Sequence, residues 1–173
     1  MKYLLALALL SASPAAAEIV SADAHDFEVR YSIQVKAPAQ SAWDSFSQIG
    51  KWWSPDHSYS GDASNLSLTP VPGGCFCERM GDKGGVEHLR VAVALPPKRL
   101  VMTGSLGPLL YEAVEGVMDV KFDEANGGTT VSVNYRASGF VHGNAGEIAK
   151  AVDSVLGEQV ARFARYAGTT APK

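Results

Sequence analysis

The feature that most constrains the fold is a long amphipathic pattern near the C-terminus, in residues 144–167. Apolar residues recur there at steps of three and four, which predicts one helix of about six turns. The apolar positions are Ile148, Val152, Val155, Leu156, Val160 and Phe163. Asn144 is expected to cap the start of this helix, and Gly168 to close its end in a left-handed turn. So long an apolar stripe needs a partner surface that buries it.

Almost everything that precedes this helix has the pattern of β-strands. Residues 29–35 alternate between apolar and polar, and Pro38 then suits the start of a short helix that carries Trp43 and Phe46. Six more strand-like runs follow, at residues 66–71, 75–80, 86–95, 99–106, 113–122 and 130–138. Because the breakers between them are short, the strands are expected to be antiparallel. The predicted class is α+β, with a curved antiparallel sheet wrapped around the terminal helix.

The first 17 residues have the pattern of a secretory signal peptide, with Lys2, an apolar run at residues 4–10 and small residues up to Ala17. We therefore expect cleavage near Ala17 and a product that is periplasmic or secreted. The apolar run is too short to span a bilayer, so no stable membrane anchor is expected. Residues 18–26 and 169–173 are expected to be loose ends of a single domain at residues 27–168. The formal net charge is −3 without a basic run, which argues against a nucleic-acid partner.

Several short motifs accompany this order of elements. They are VKAP at residues 35–38, Trp43 in the short helix, PGGCF at residues 72–76 and PPKRL at residues 96–100. Together with the long final helix, they resemble the START-like, helix-grip or SRPBCC superfamily, and within it the branch called activator of heat-shock-protein ATPase homologue-like. The resemblance covers roughly residues 27–167. It implies a cavity between sheet and helix that binds a small hydrophobic molecule, such as a lipid or polyketide, without a cofactor.

Glu87 is the most unusual residue of the predicted sheet. Apolar residues at alternating positions in residues 89–95 define one face of the strand, and Glu87 continues their series. A carboxylate on this apolar face needs a partner or a raised pKa. With a four-residue loop at 81–84, Glu78 would stand opposite Glu87, giving a ligand anchor or an acid–base pair. With a five-residue loop, Arg79 would neutralise Glu87 instead. A third possibility is that Glu87 is hydrated near the end of its strand.

Cys75 and Cys77 are the only cysteines. Their Cα atoms would lie about 6.5–7 Å apart in an extended strand, at the upper edge of disulfide geometry, so the spacing favours small apolar thiols. A strained disulfide is the second interpretation, since an exported chain meets an oxidising compartment. A zinc or copper site with His88, opposite Cys77 in the four-residue register, is the third. We expect no metal.

The loop at residues 50–62 is aromatic and polar without periodicity, as a loop over a pocket mouth would be. The expected ligand-binding residues are Trp52, Trp53, Tyr59, Glu87, Met102, Met118 and Tyr135. The leading hypothesis is an exported carrier or sensor for a small apolar or amphipathic molecule. The alternatives are a cyclase- or hydrolase-type enzyme that uses Glu87 with Glu78 or His57, and a protein-interaction module formed by this loop.

Overall fold

A computed structural model describes residues 16–125 and 127–169, with side chains from residue 18 to residue 168. The strands are β1 (Ala16–Ala22), β2 (Asp26–Val35), β3 (Leu66–Leu68), β4 (Cys75–Met80), β5 (Gly84–Leu95), β6 (Arg99–Thr103), β7 (Glu115–Ala125) and β8 (Gly128–Ser138). The helices are α1 (Ala39–Ser47) and α2 (Ala145–Thr169). One eight-stranded antiparallel sheet has the order β1-β2-β8-β7-β6-β5-β4-β3 and curves around α2, which confirms the predicted α+β class.

The core lies between the concave face of the sheet and one side of α2. Leu156, Val160 and Phe163 of α2 are buried there, and Phe163 packs against Phe46 and Trp52 with ring centroids 5.3 Å away in each case. Ile148 and Val152 are partly buried and pack against the same core. The predicted contact between the terminal helix and the sheet is therefore confirmed. No helix in the described ranges is long and apolar enough to cross a membrane.

The N-terminal prediction needs a correction. Residues 18–26 were expected to be loose, but residues 18–22 belong to β1, which pairs with β2 from Ala16↔Ser32 to Ala22↔Phe27. The pairing satisfies backbone groups of β2 that would otherwise form an open sheet edge. Most of the predicted signal peptide, residues 1–15, lies outside the described residues. Cleavage after Ala17 would leave residues 18–22 of β1 in place.

Both predicted ends of the terminal helix differ from the structure. Asn144 precedes α2, but its side-chain oxygen is enclosed without a hydrogen-bond partner, so it does not cap the helix as expected. Gly168 is helical and is not among the glycines with positive φ, because α2 continues to Thr169. Residues 170–173 lie outside the described residues. The pattern of apolar residues located this helix correctly, although the capping residues did not fix its ends.

Phe163→Ala is expected to lower the free energy of unfolding by about 3–5 kcal/mol, because it leaves a cavity among Phe46, Trp52 and α2. Phe163 is 1% exposed. Urea denaturation monitored by circular dichroism would measure the change. Lys150→Ala, at an exposed position of the same helix, is the matched control and should change stability little. A loss below 1 kcal/mol for Phe163→Ala would contradict this account of the core.

Candidate functional site

A mostly apolar pocket of about 560 Å³ opens beside the N-terminal half of α2. Its walls are the loop of residues 53–59, the 3-10 segment Gly107–Glu112 and the α2 residues Ile148, Ala151, Val152 and Val155. The sheet contributes His88 of β5. The volume and apolar lining are typical of sites for small organic ligands.

A β-bulge puts His88 into this pocket. Phe76 pairs with Leu89, and Cys77 pairs with Glu87, so His88 is an extra residue on β5 without a partner on β4. His88 and Leu89 are therefore both buried although they are adjacent in sequence. Bulges of this kind re-aim side chains and are common next to functional sites.

His88 forms a buried pair with Glu78 of β4. Nε2 of His88 lies 3.0 Å from Oε2 of Glu78, and the two side chains are 6% and 0% exposed. The carboxylate also accepts the backbone N–H groups of Tyr59, at 3.0 Å, and Ser60, at 2.5 Å. Glu78 thus ties the pocket loop to the sheet, and His88 is the member of the pair that lines the pocket.

The surroundings determine the charges of this pair. Burial of Glu78 opposes its ionisation, but hydrogen bonds from Ser60, Tyr59 and His88 outweigh burial and hold the pKa of the carboxyl below its usual range. Burial lowers the pKa of His88, and the neighbouring Glu78 only partly offsets this. At neutral pH we therefore expect an ionised Glu78 beside a neutral His88.

Glu87 does not line the pocket, so its predicted position on the apolar face is wrong. The hairpin pairs Met80 with Gly84 and Glu78 with Val86, which is neither of the two registers considered. The bulge at His88 then reverses the inward and outward faces before Leu89 is reached. The Glu87 side chain is 41% exposed, in agreement with the third possibility that it is hydrated, and it forms an ion pair with Arg90. The geometry on which its anchoring or catalytic role depended is absent.

The cysteines form a disulfide, whereas the spacing favoured free thiols. The Cα atoms of Cys75 and Cys77 lie 5.4 Å apart, closer than in a regular extended strand, next to the irregular pairing at the bulge. Cys75 pairs with Arg90, as the four-residue register predicted, but Cys77 pairs with Glu87 while His88 faces inward. Cys75, Cys77 and Glu87 lie close together, but the bonded sulfurs are not thiolates and Glu87 is engaged by Arg90.

Three of the other predicted residues reach the pocket. Trp53, Tyr59 and His57 line it, and Nε2 of His57 lies 3.1 Å from Oε2 of Glu158 on α2. Burial, Tyr111 and Glu78 raise the pKa of the Tyr59 hydroxyl. Two of the three aromatic side chains that were predicted for this loop, Trp53 and Tyr59, therefore line the pocket.

The remaining predicted ligand-binding residues belong to the filled core. Trp52 is buried, and its Nε1–H donates to the backbone oxygens of Ser45 and Phe46. Met102, Met118 and Tyr135 are buried on the sheet and are not among the pocket-lining residues. Large core side chains occupy the space expected to be the cavity, so the pocket lies to one side of it.

Sequence reasoning missed His88 as an inward-facing residue and missed the 3-10 segment with Leu109 and Tyr111. The dipeptide Gly107-Pro108 was interpreted as a simple strand breaker, although a Pro at the first turn also suits a short helix. For His88 no local signal exists, because a bulge depends on the pairing of two strands.

The burial of His88, which lowers its pKa despite the neighbouring Glu78, predicts a specific pH dependence of stability. A folded-state pKa of His88 below its unfolded value means that unfolding takes up a proton as pH falls below about 6.5. The free energy of unfolding should therefore fall more between pH 7 and pH 5 in the wild type than in His88→Gln, as measured by urea denaturation. Because the pKa of Glu78 is also lowered in the folded protein, the free energy of unfolding falls further at pH values below the usual pKa range of a glutamate. His142→Gln, at an exposed loop position, is the control. Superimposable profiles for wild type and His88→Gln would contradict the lowered pKa of His88 in the folded protein.

Comparisons with known proteins bear on the fold. No protein-family model matches the chain, and no curated protein sequence matches it significantly. Among solved structures, DynU16 of the dynemicin biosynthetic locus is similar, with a TM-score of 0.56 and 19% identity over 82% of this chain. The match spans about half, 47%, of the DynU16 chain.

Two smaller bacterial proteins match over nearly their whole length. A Staphylococcus aureus protein of unknown function has a TM-score of 0.60 and 14% identity over 83% of this chain and 94% of its own. A Mesorhizobium loti protein has a TM-score of 0.56 and 15% identity over 84% of this chain and 99% of its own. The eight-stranded antiparallel sheet that curves around a long C-terminal helix is, in this chain as in these similar structures, the helix-grip fold.

Proposed function

We propose that this protein is an exported binding protein, a carrier or a sensor, that holds a small apolar or amphipathic molecule in the pocket beside α2. The observation that carries the proposal is the pocket itself, with a volume of about 560 Å³, apolar walls and a buried polar pair at one point. An apolar cavity with a few placed polar groups is the usual design of a small-molecule site.

Export is part of the proposal. It rests on the signal-peptide pattern of the first 17 residues and gains support from the Cys75–Cys77 disulfide, since disulfides persist in oxidising compartments. Membership of the START-like superfamily, in the activator branch, rests on the motifs that begin at Val35, Pro72 and Pro96. A lipid or a polyketide is the ligand type that this resemblance suggests.

A second candidate function is a cofactor-free enzyme. The observation that favours it is the Glu78–His88 pair, two titratable groups that converge where one of them meets the pocket. A carboxylate that orients an imidazole is a common arrangement for general acid–base work. In that case His88 takes the role that the sequence suggested for Glu87.

Ala151→Trp tests the binding proposal, because it places an indole in the pocket from an exposed position of α2. The probe is N-phenyl-1-naphthylamine, whose fluorescence rises in apolar surroundings. We expect the wild type to bind one equivalent of the probe, and Ala151→Trp to bind it at least about tenfold more weakly, a change of about 1.4 kcal/mol.

Ser154→Trp is the matched control, because Ser154 is an exposed residue of the same helix that does not line the pocket. It should bind the probe like the wild type. Equal binding by all three proteins, or no binding by the wild type, would contradict the proposed site. If the probe results support the site, native mass spectrometry of the protein isolated from its native periplasm would identify the natural ligand by its mass.

A further inference from the structure

We propose that the pocket selects ligands with a phenol- or enol-type hydroxyl group, which donates its hydrogen to Nδ1 of His88. The inference rests on the proposed binding function and adds the chemical class of the ligand. It starts from the contacts of the Glu78–His88 pair, which determine where the hydrogen of the imidazole lies.

The carboxylate of Glu78 can only accept hydrogen bonds while it is ionised. It accepts two backbone N–H groups from the pocket loop, and its Oε2 lies 3.0 Å from Nε2 of His88. Nε2 must therefore carry a hydrogen. In a neutral imidazole the other nitrogen, Nδ1, is then an acceptor with a free lone pair.

This lone pair is open to the pocket. Among the described residues Nδ1 of His88 has no hydrogen-bond partner. It is also not among the fully enclosed polar atoms without a partner, which in the same residues are Asn144 Oδ1 and Gln159 Nε2. Since His88 lines the pocket, its unpartnered acceptor is accessible from there.

The surroundings of His88 restrict what can donate to it. The imidazole stacks on Phe76, with ring centroids 4.6 Å apart, and lies 5.8 Å from the Tyr59 ring. A ligand ammonium group would lose its hydration against the apolar walls. A ligand carboxylate is ionised at neutral pH and has no hydrogen to donate to Nδ1, and the ionised Glu78 on the other side of the imidazole disfavours a second negative charge. A neutral hydroxyl avoids both costs.

The shape of the lining favours a flat ligand. Trp53, Tyr59 and Tyr111 contribute aromatic rings to the same pocket, and rings of this kind stack or pack edge-to-face on a planar molecule. Of the acidic and histidine side chains that also line the pocket, Asp56 and His57 are exposed and Glu112 is half-buried. Hydroxyl donation to His88 from a planar aromatic or enolic ring therefore uses both the acceptor and the aromatic walls.

The test compares 2-naphthol with 2-methoxynaphthalene, which keeps the ring system but has no hydroxyl hydrogen. Isothermal titration calorimetry on the wild type should show 2-naphthol binding about five- to tenfold more tightly, as one net hydrogen bond provides. In His88→Leu the preference should disappear. In His88→Gln it should survive in part, because an amide can donate to Glu78 and still accept from the ligand.

The outcomes separate this inference from the binding proposal. Equal affinities for the two probes in the wild type, or an unchanged preference in His88→Leu, would overturn the role of His88 and leave the pocket as a binding site. Absence of binding for both probes would overturn the proposed function and this inference with it. Should His88→Leu fail to fold, the wild-type comparison and His88→Gln still decide, since no preference for 2-naphthol in either protein contradicts the inference.

Discussion

A buried carboxylate organises the functional half of this structure. An ionised group in the interior is costly unless hydrogen bonds replace its hydration, and Glu78 obtains them from the backbone of Tyr59, the backbone of Ser60 and the imidazole of His88. These contacts join three separate parts of the chain, the pocket loop, β4 and β5. The need to satisfy one charge thus fixes the loop and orients the only sheet imidazole that lines the pocket in the described residues.

α2 holds the same loop from the other side. The backbone N–H of Ser54 donates to Oε1 of Gln159 at 2.7 Å, and Nε–H of Arg162 donates to the backbone oxygen of Trp52 at 2.8 Å. Between these contacts Trp53 packs edge-on against Phe76. The loop is therefore fixed to the helix and to the sheet, which gives the pocket a preorganised wall and lowers the entropy lost when a ligand binds.

The sequence was informative wherever burial follows a simple period. The stripe from Ile148 to Phe163 located α2, and alternation located β2 and β8, because the periods of helices and strands are local properties of the chain. Glu87 and His88 show where this reasoning stops. One extra residue in β5 reverses the faces of the strand, and whether it occurs depends on pairing with β4, which alternation within β5 alone cannot reveal.

The protonation of His88 decides what the pocket offers to a ligand, and nitrogen-15 NMR of the labelled protein measures it at each ring nitrogen. At pH 7 and without ligand, we predict a protonated Nε2 and an unprotonated, pyridine-like Nδ1. This result would establish the acceptor that the ionised Glu78 imposes on the pocket. An imidazolium, or the tautomer with the hydrogen on Nδ1, would contradict it, because His88 would then offer the pocket a donor instead of an acceptor.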